Sequence, residues 1–192
     1  FSALLGTVAS AMAAPLNQMG TGVYECSRAF VSEKTERPWI YEVCGGWGAV
    51  TEEFASQGYA TARPKDIIYG DDLYDPKIRA QVKIDVQINR PRLILMGWPC
   101  RLWGSVTNIT FVTPEEKQML RRLRRKEKPI LELFEDLAYI QLARGDHIIG
   151  ENPLWSKALD EKPILKVLNR EDCHVLRTDA CARGLKDPAT GD

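Results

Sequence analysis

Apolar residues fall in short unbroken runs, separated by longer stretches with helical spacing. Residues 39–44, Trp-Ile-Tyr-Glu-Val-Cys, are β-branched and aromatic, and Gly45-Gly46-Trp47-Gly48 stops them. This predicts a strand and a turn. Residues 51–57 then read as a short helix with Gly58 at its C′ position. Residues 59–62 are expected to form a second strand, ended by Pro64. Asp75-Pro76 has the form of an N-cap followed by proline at N1, and predicts a helix to about Asn89. Leu93-Ile94-Leu95-Met96 is wholly apolar, as in a strand covered on both faces. Thr113-Pro114-Glu115-Glu116 is a capping box. The helix behind it is expected to reach Arg144, with Gly145 at its end and a kink or break at Pro129. Residues 147–150 predict a further strand, 161–168 a helix and 174–177 a last strand. Strands alternating with helices predict an α/β fold, with a mostly parallel sheet and helices on both faces.

The beginning of the chain differs. Residues 1–14 are small and apolar, and Pro15 ends them. They are too few to span a membrane and lack the basic segment of a secretory signal. A short packing helix or an irregular end is expected. Residues 17–38 have no clear periodicity, so 1–38 reads as a lead-in and 39–192 as one α/β domain. The chain opens on Phe1 and closes on Asp192, which reads as a fragment of a longer chain.

Composition narrows the function only a little. The 26 basic and 26 acidic residues of this 192-residue chain balance, so attraction to phosphate requires a local patch. Residues 121–126, Arg-Arg-Leu-Arg-Arg-Lys, supply one: Arg121, Arg122, Arg124 and Arg125 form a dense cationic stripe. It suits a nucleic-acid backbone, or equally a solvated helix face paired with Glu115, Glu116 and Glu127. The five cysteines, Cys26, Cys44, Cys100, Cys173 and Cys181, show neither a C-x-x-C pair nor zinc spacing. Reduced thiols, no metal and an intracellular location, the nucleus included, are expected.

In parallel sheets ligands sit beyond the carboxyl ends of the strands, so the residues there carry the candidate chemistry. After the first strand, Cys44, Gly45, Gly46, Trp47 and Gly48 allow a tight turn and close approach of a ligand, or are simply a structural turn. No Gly-Lys-Ser/Thr follows, which excludes a phosphate-binding P-loop. Asp66 lies about 20 residues on, at the spacing of a ribose-binding acid. Asp71 and Asp72 follow it, either as adenine contacts or as a solvated acidic loop. Behind the apolar strand comes Trp98-Pro99-Cys100, whose thiol is either a nucleophile or a buried inert group. A cysteine phosphatase would need arginine at position 106, where Val106 stands. Glu151-Asn152 follows the next strand, and Glu151 suits a general acid or a helix cap. Trp47, Trp98 and Trp103 lie near these loops and can stack on bases or fill the core.

Taken in order, these segments resemble the DNA cytosine-5 methyltransferase family over residues 39–185. Residues 44–48 resemble its F-x-G-x-G loop, Asp66 its ribose acid, and Asp72-Leu73 its adenine-proximal acid. Trp98-Pro99-Cys100 resembles its Pro-Pro-Cys motif, with Trp103 for the aromatic residue that follows. Glu151-Asn152-Pro153 resembles its Glu-Asn-Val motif, and residues 179–184 a later strand-end motif. The resemblance implies a Rossmann-like class I methyltransferase fold. It implies S-adenosylmethionine held by Cys44, Gly45, Gly46, Trp47, Gly48, Asp66, Asp72, Leu73 and Pro99. Cys100 would attack cytosine C6 and Glu151 would activate the ring. Arg101, Trp103 and the stripe would meet nucleic acid, DNA before RNA, with the base extruded from its stack. Cys44 stands for phenylalanine, Trp98 for proline and Pro153 for valine, and there is no clear Gln-x-Arg-x-Arg motif or long target-recognition segment. The alternative is a catalytically silent Rossmann-like module that binds nucleic acid or a protein within a larger polyprotein. A nicotinamide dehydrogenase would explain the glycines and Asp66 but would leave Cys100 and Glu151 without a role.

Overall fold

The computed structural model describes residues 36–178. Residues 1–35 of the lead-in, residues 179–184, Cys26 and Cys181 lie outside them. Strands β1 (Ile40–Val43), β2 (Leu93–Gly97) and β3 (His147–Glu151) form a parallel sheet in the order β1-β2-β3. Ile40 pairs with Leu93 and Val43 with Met96; Leu93 pairs with His147 and Gly97 with Glu151. This register brings all three carboxyl ends to one edge. Helices α1 (Ala49–Ser56), α2 (Pro76–Asn89), α3 (Thr107–Thr110), α4 (Pro114–Leu142) and α5 (Lys162–Leu168) connect and cover the strands.

The period of two along a strand splits the core in two. Ile40 and Leu95 face Val50 and Phe54 of α1, with Leu93 and Ile149 beside them. Tyr41, Val43, Ile94 and Met96 face the larger cluster, built from Val82 and Val86 of α2 and Leu131, Phe134 and Leu137 of α4. The sheet therefore carries helices on both faces. A parallel crossover needs such a helix to return the chain to the same edge.

Local start signals act where expected. Asp75 caps α2, and Thr113 and Glu116 close a full capping box at α4. Three expectations are corrected. Residues 59–62 form no strand; two isolated parallel bridges, Ile40 to Thr61 and Val43 to Lys65, stand in its place. Pro64 lies between them and has no N–H to continue the ladder. Residues 174–177 form no strand either, and Val175 and Leu176 are exposed. High β-propensity without a neighbour to pair leaves no strand. Helix α4 runs unbroken through Pro129. Ile130, Leu131, Leu133 and Phe134 are buried just beyond the proline, and packing of that face holds the helix together.

Gly150 fixes how closely β3 approaches this core. A Cβ there would lie 2.7 Å from Trp98 Cζ3 and 2.8 Å from Phe134 Cζ. Both rings are buried and stack at a centroid distance of 4.9 Å. Gly150→Ala should therefore destabilise the fold by about 1–3 kcal/mol through overpacking. A lowered urea midpoint at constant slope would show it, and an unchanged midpoint would mean the rings yield freely.

Candidate active site

The chain leaves β1 for the bridged segment on one side and returns through α2 to β2 on the other. In parallel sheets such a reversal is where ligands are held, outside the strand ends. Gly97 closes the central strand of the three. A Cβ there would lie 3.3 Å from Cys44 O and 3.6 Å from Glu151 Oε2, so the three strand ends converge on this glycine.

The glycine turn is held from two directions. Cys44 and Gly46 have φ of 56° and 62°, and Gly48, the N-cap of α1, has 70°. The Gly46 N–H donates to Asp66 Oδ2 at 3.0 Å, while Asp66 Oδ1 accepts from Ile68 N–H at 3.1 Å. Tyr69 Oη donates to Trp47 O at 2.7 Å. A Cβ on Gly48 would meet Pro64 and that same hydroxyl. The space beside Gly46 is open and Trp47 is 69% exposed, so the outer side of the turn can be approached. Burial, with Asp66 nearby, pushes the Cys44 thiol up to about 12. Cys44 is thus a poor nucleophile.

Glu42, which the sequence reading passed over, is the residue behind the turn. It is 1% exposed, and its Oε2 accepts the Thr51 N–H of α1's first turn at 2.5 Å. Burial raises its pKa against the hydrogen bonds from Thr51 and Val50. A Cβ on Gly45 would lie 2.6 Å from Glu42 Oε1, so Gly45 makes room for this carboxyl group. Among the described residues no Lys or Arg forms an ion pair with Glu42. The signal was present: an acid inside an otherwise apolar strand is costly unless used.

The acidic candidates separate. Asp66 joins the glycine turn. Asp71 is buried and engaged by Arg63 at 2.7 Å and Lys65 at 3.2 Å. Asp72 is exposed and accepts from the Tyr74 N–H at 2.8 Å. Leu73 is a core residue, 5% exposed.

At the end of β2, Trp98 is buried, Pro99 half-buried and Cys100 exposed. Asn152 Nδ2 donates to Trp98 O at 2.8 Å and ties the loop after β3 to the loop bearing Cys100. Glu151 stays open to solvent at the rim, its carboxyl group makes no hydrogen bond among the described residues, and its pKa is raised by desolvation. Trp155, four residues on, is 72% exposed.

Two expected nucleic-acid contacts are corrected. Trp103 is 1% exposed, and its Nε1 donates to Glu127 Oε2 at 2.7 Å, so no ring face remains for a base. Arg124 lies over Trp103 at 5.0 Å and donates to Leu102 O at 2.8 Å. It serves the loop rather than the surface. Arg101, Arg121, Arg122 and Arg125 are exposed. Their expected acidic partners are elsewhere: Glu116 accepts from Val112 and Thr113, and Glu127 is buried. Among the described residues, no three or more His, Cys, Asp or Glu side chains group to hold a metal, and no helix is long and apolar enough to cross a membrane. No family model, curated protein or solved structure matches this chain.

Proposed function

We propose that this chain is a Rossmann-like, S-adenosylmethionine-dependent methyltransferase domain that methylates C5 of cytosine in nucleic acid. The observation that carries the reading is the Glu42 carboxyl group, which reaches from β1 to the first turn of α1. Dinucleotide-binding sheets use the N–H groups of that helix to hold a pyrophosphate. Here a carboxyl group of the chain itself accepts the Thr51 N–H. An anionic cofactor would meet a carboxyl where it needs a donor, which argues against the nicotinamide dehydrogenase. A buried acid without a basic partner among the described residues favours a cationic ligand, because a nearby cation stabilises its charged form. S-adenosylmethionine carries an ammonium and a sulfonium, and supplies a methyl group activated for transfer.

The remaining roles rest on this chain's own side chains. Gly46 leaves open space beside the turn, and Asp66 still has lone pairs for a ribose hydroxyl beyond the two it uses. The exposed Cys100 thiol, once deprotonated, adds to C6 of an extruded cytosine and makes C5 nucleophilic. Glu151, with its raised pKa, holds a proton to higher pH than an ordinary carboxyl and donates it to the ring nitrogen. C5 takes the methyl group as its bond to sulfur breaks and S-adenosylhomocysteine leaves; the C5 proton then passes to solvent, the thiolate is expelled, and the ring-nitrogen proton returns to Glu151. Arg101, Arg121, Arg122 and Arg125 meet the phosphates, DNA before RNA, in an intracellular setting. A silent module in a polyprotein would share these arginines, but would have no use for an exposed Cys100 on a loop tied through Asn152 to the one that follows an unengaged Glu151 carboxyl.

Calorimetric titration with S-adenosylhomocysteine tests the reading. Saturable binding is expected, weakened at least about tenfold in Asp66→Ala, the scale of one or two lost charged hydrogen bonds. A folded protein that takes up no ligand at millimolar concentration would overturn it.

A further inference from the structure

We infer that Glu127 is a positioning residue that couples the loop bearing Cys100 to the loop bearing Asp72; the catalytic meaning of that coupling rests on the function proposed above, but the coupling itself does not. Glu127 lies on α4 and is 4% exposed. Its Oε2 accepts from Trp103 Nε1 at 2.7 Å, and its Oε1 accepts from Tyr74 Oη at 3.0 Å. Tyr74 is held by Asp72 through its own N–H. Trp103 is the hub of the other loop. Its N–H donates to Cys100 O at 3.0 Å, and its carbonyl accepts from Lys157 N–H at 2.7 Å. One carboxyl group thus bridges the segment after the bridged edge to the turn after β2. Through Lys157, that turn reaches the segment following β3.

Burying an acid here costs stability, because an apolar side chain of similar volume would avoid its desolvation. Among the described residues Glu127 has no ion pair, although Arg101 and Arg124 lie near enough to favour its charge. The two hydrogen bonds have a geometric consequence that an apolar residue could not supply. They fix the indole and the phenol relative to one carboxyl plane, and so fix Cys100 O relative to Asp72. The carboxyl group and the indole are buried while Tyr74 is half exposed, and a carboxyl with both oxygens engaged holds one arrangement of the two loops against its alternatives.

The test is a double-mutant cycle read on the Cys100 thiol. Alkylation of Cys100 by iodoacetamide is followed by mass spectrometry of its peptide, with Cys173 as the internal reference and circular dichroism to confirm folding. Tyr74→Phe removes only a hydroxyl, in a different loop from Cys100. It should change the Cys100 rate by about threefold or more, within the range of coupled neighbours. Glu127→Leu should change it as well, because it removes both acceptors, whereas a glutamine can keep both contacts by donating its amide N–H to the Tyr74 oxygen. In the Glu127→Leu background, Tyr74→Phe should then have no further effect. A Cys100 rate unmoved by Tyr74→Phe, or moved equally in both backgrounds, would overturn the inference. Neither outcome depends on whether S-adenosylhomocysteine binds.

Discussion

Cys100→Ser should abolish methyl transfer to cytosine-containing DNA, by more than about 10³-fold, the scale on which loss of a covalent nucleophile acts. A serine hydroxyl stays protonated at neutral pH and is a far weaker nucleophile than a thiolate. The thiol is exposed at the rim, while its neighbour Trp98 is packed into the core. The substitution should therefore leave the fold and the binding of S-adenosylhomocysteine unchanged. Cys173→Ser, on the far segment beside Asp172, is the matched control and should retain full activity. DNA carrying 5-fluorocytosine adds a second readout. The fluorine cannot leave as a proton does, so the thiolate remains bonded to C6 and a denaturation-stable adduct forms with the wild type alone. Transfer by Cys100→Ser at the wild-type rate would end the nucleophile assignment. Ligand binding without any transfer by the wild type would instead select the silent module.

What the sequence disclosed depended on how far apart the interacting residues are. Asp75-Pro76 and Thr113-x-x-Glu116 complete their signals within one helical turn, and both helices begin where those residues stand. The apolar run 93–96 needs no partner to be identified as a covered strand. The candidate strand 174–177 has similar local character, but a strand exists only when another pairs with it, and none does. Pro129 shows the converse. Its local rule favours a break, and the buried face of α4 outweighs it.

The site followed the same division. Alternation of strands and helices brings Cys44, Cys100 and Glu151 to one edge without any knowledge of packing. Whether an aromatic residue near that edge meets a base or the core depends on residues far along the chain. Trp47 and Trp103 look alike in sequence. One is 69% exposed, and the other is sealed by Glu127, 24 residues later. Arg124 sits within a run of like charges, yet it alone of the four arginines lies over that indole. Glu42 announces itself as an acid in an apolar strand, but its partner does not. Its partner Thr51 lies only nine residues on, but the contact requires α1 to pack against β1, and no local pattern encodes that approach.

Glu42→Ala should cost about 1–3 kcal/mol, because the buried Thr51 N–H at the start of α1 loses its acceptor. Chemical denaturation would read this as a drop in midpoint, and a variant as stable as the wild type would mean that water replaces the carboxyl. Glu42→Gln is more revealing, since it keeps the volume and one acceptor for Thr51. Burial raises the Glu42 pKa above its ordinary 4.5, so the folded protein binds this proton more tightly than the unfolded chain does. The resulting stabilisation is fully present below about pH 4.5, the unfolded value, and is lost as pH rises through the folded one. Glu42→Gln removes that part of the slope, so it should gain on the wild type in stability as pH rises. Its affinity for S-adenosylmethionine should move the other way, because the amide offers nothing to a cation. A residue that is less stabilising at neutral pH than its isosteric amide while raising affinity for a cationic ligand is placed for binding as well as for the fold. Equal affinity in Glu42→Gln and the wild type would leave the carboxyl with only its helix-capping role.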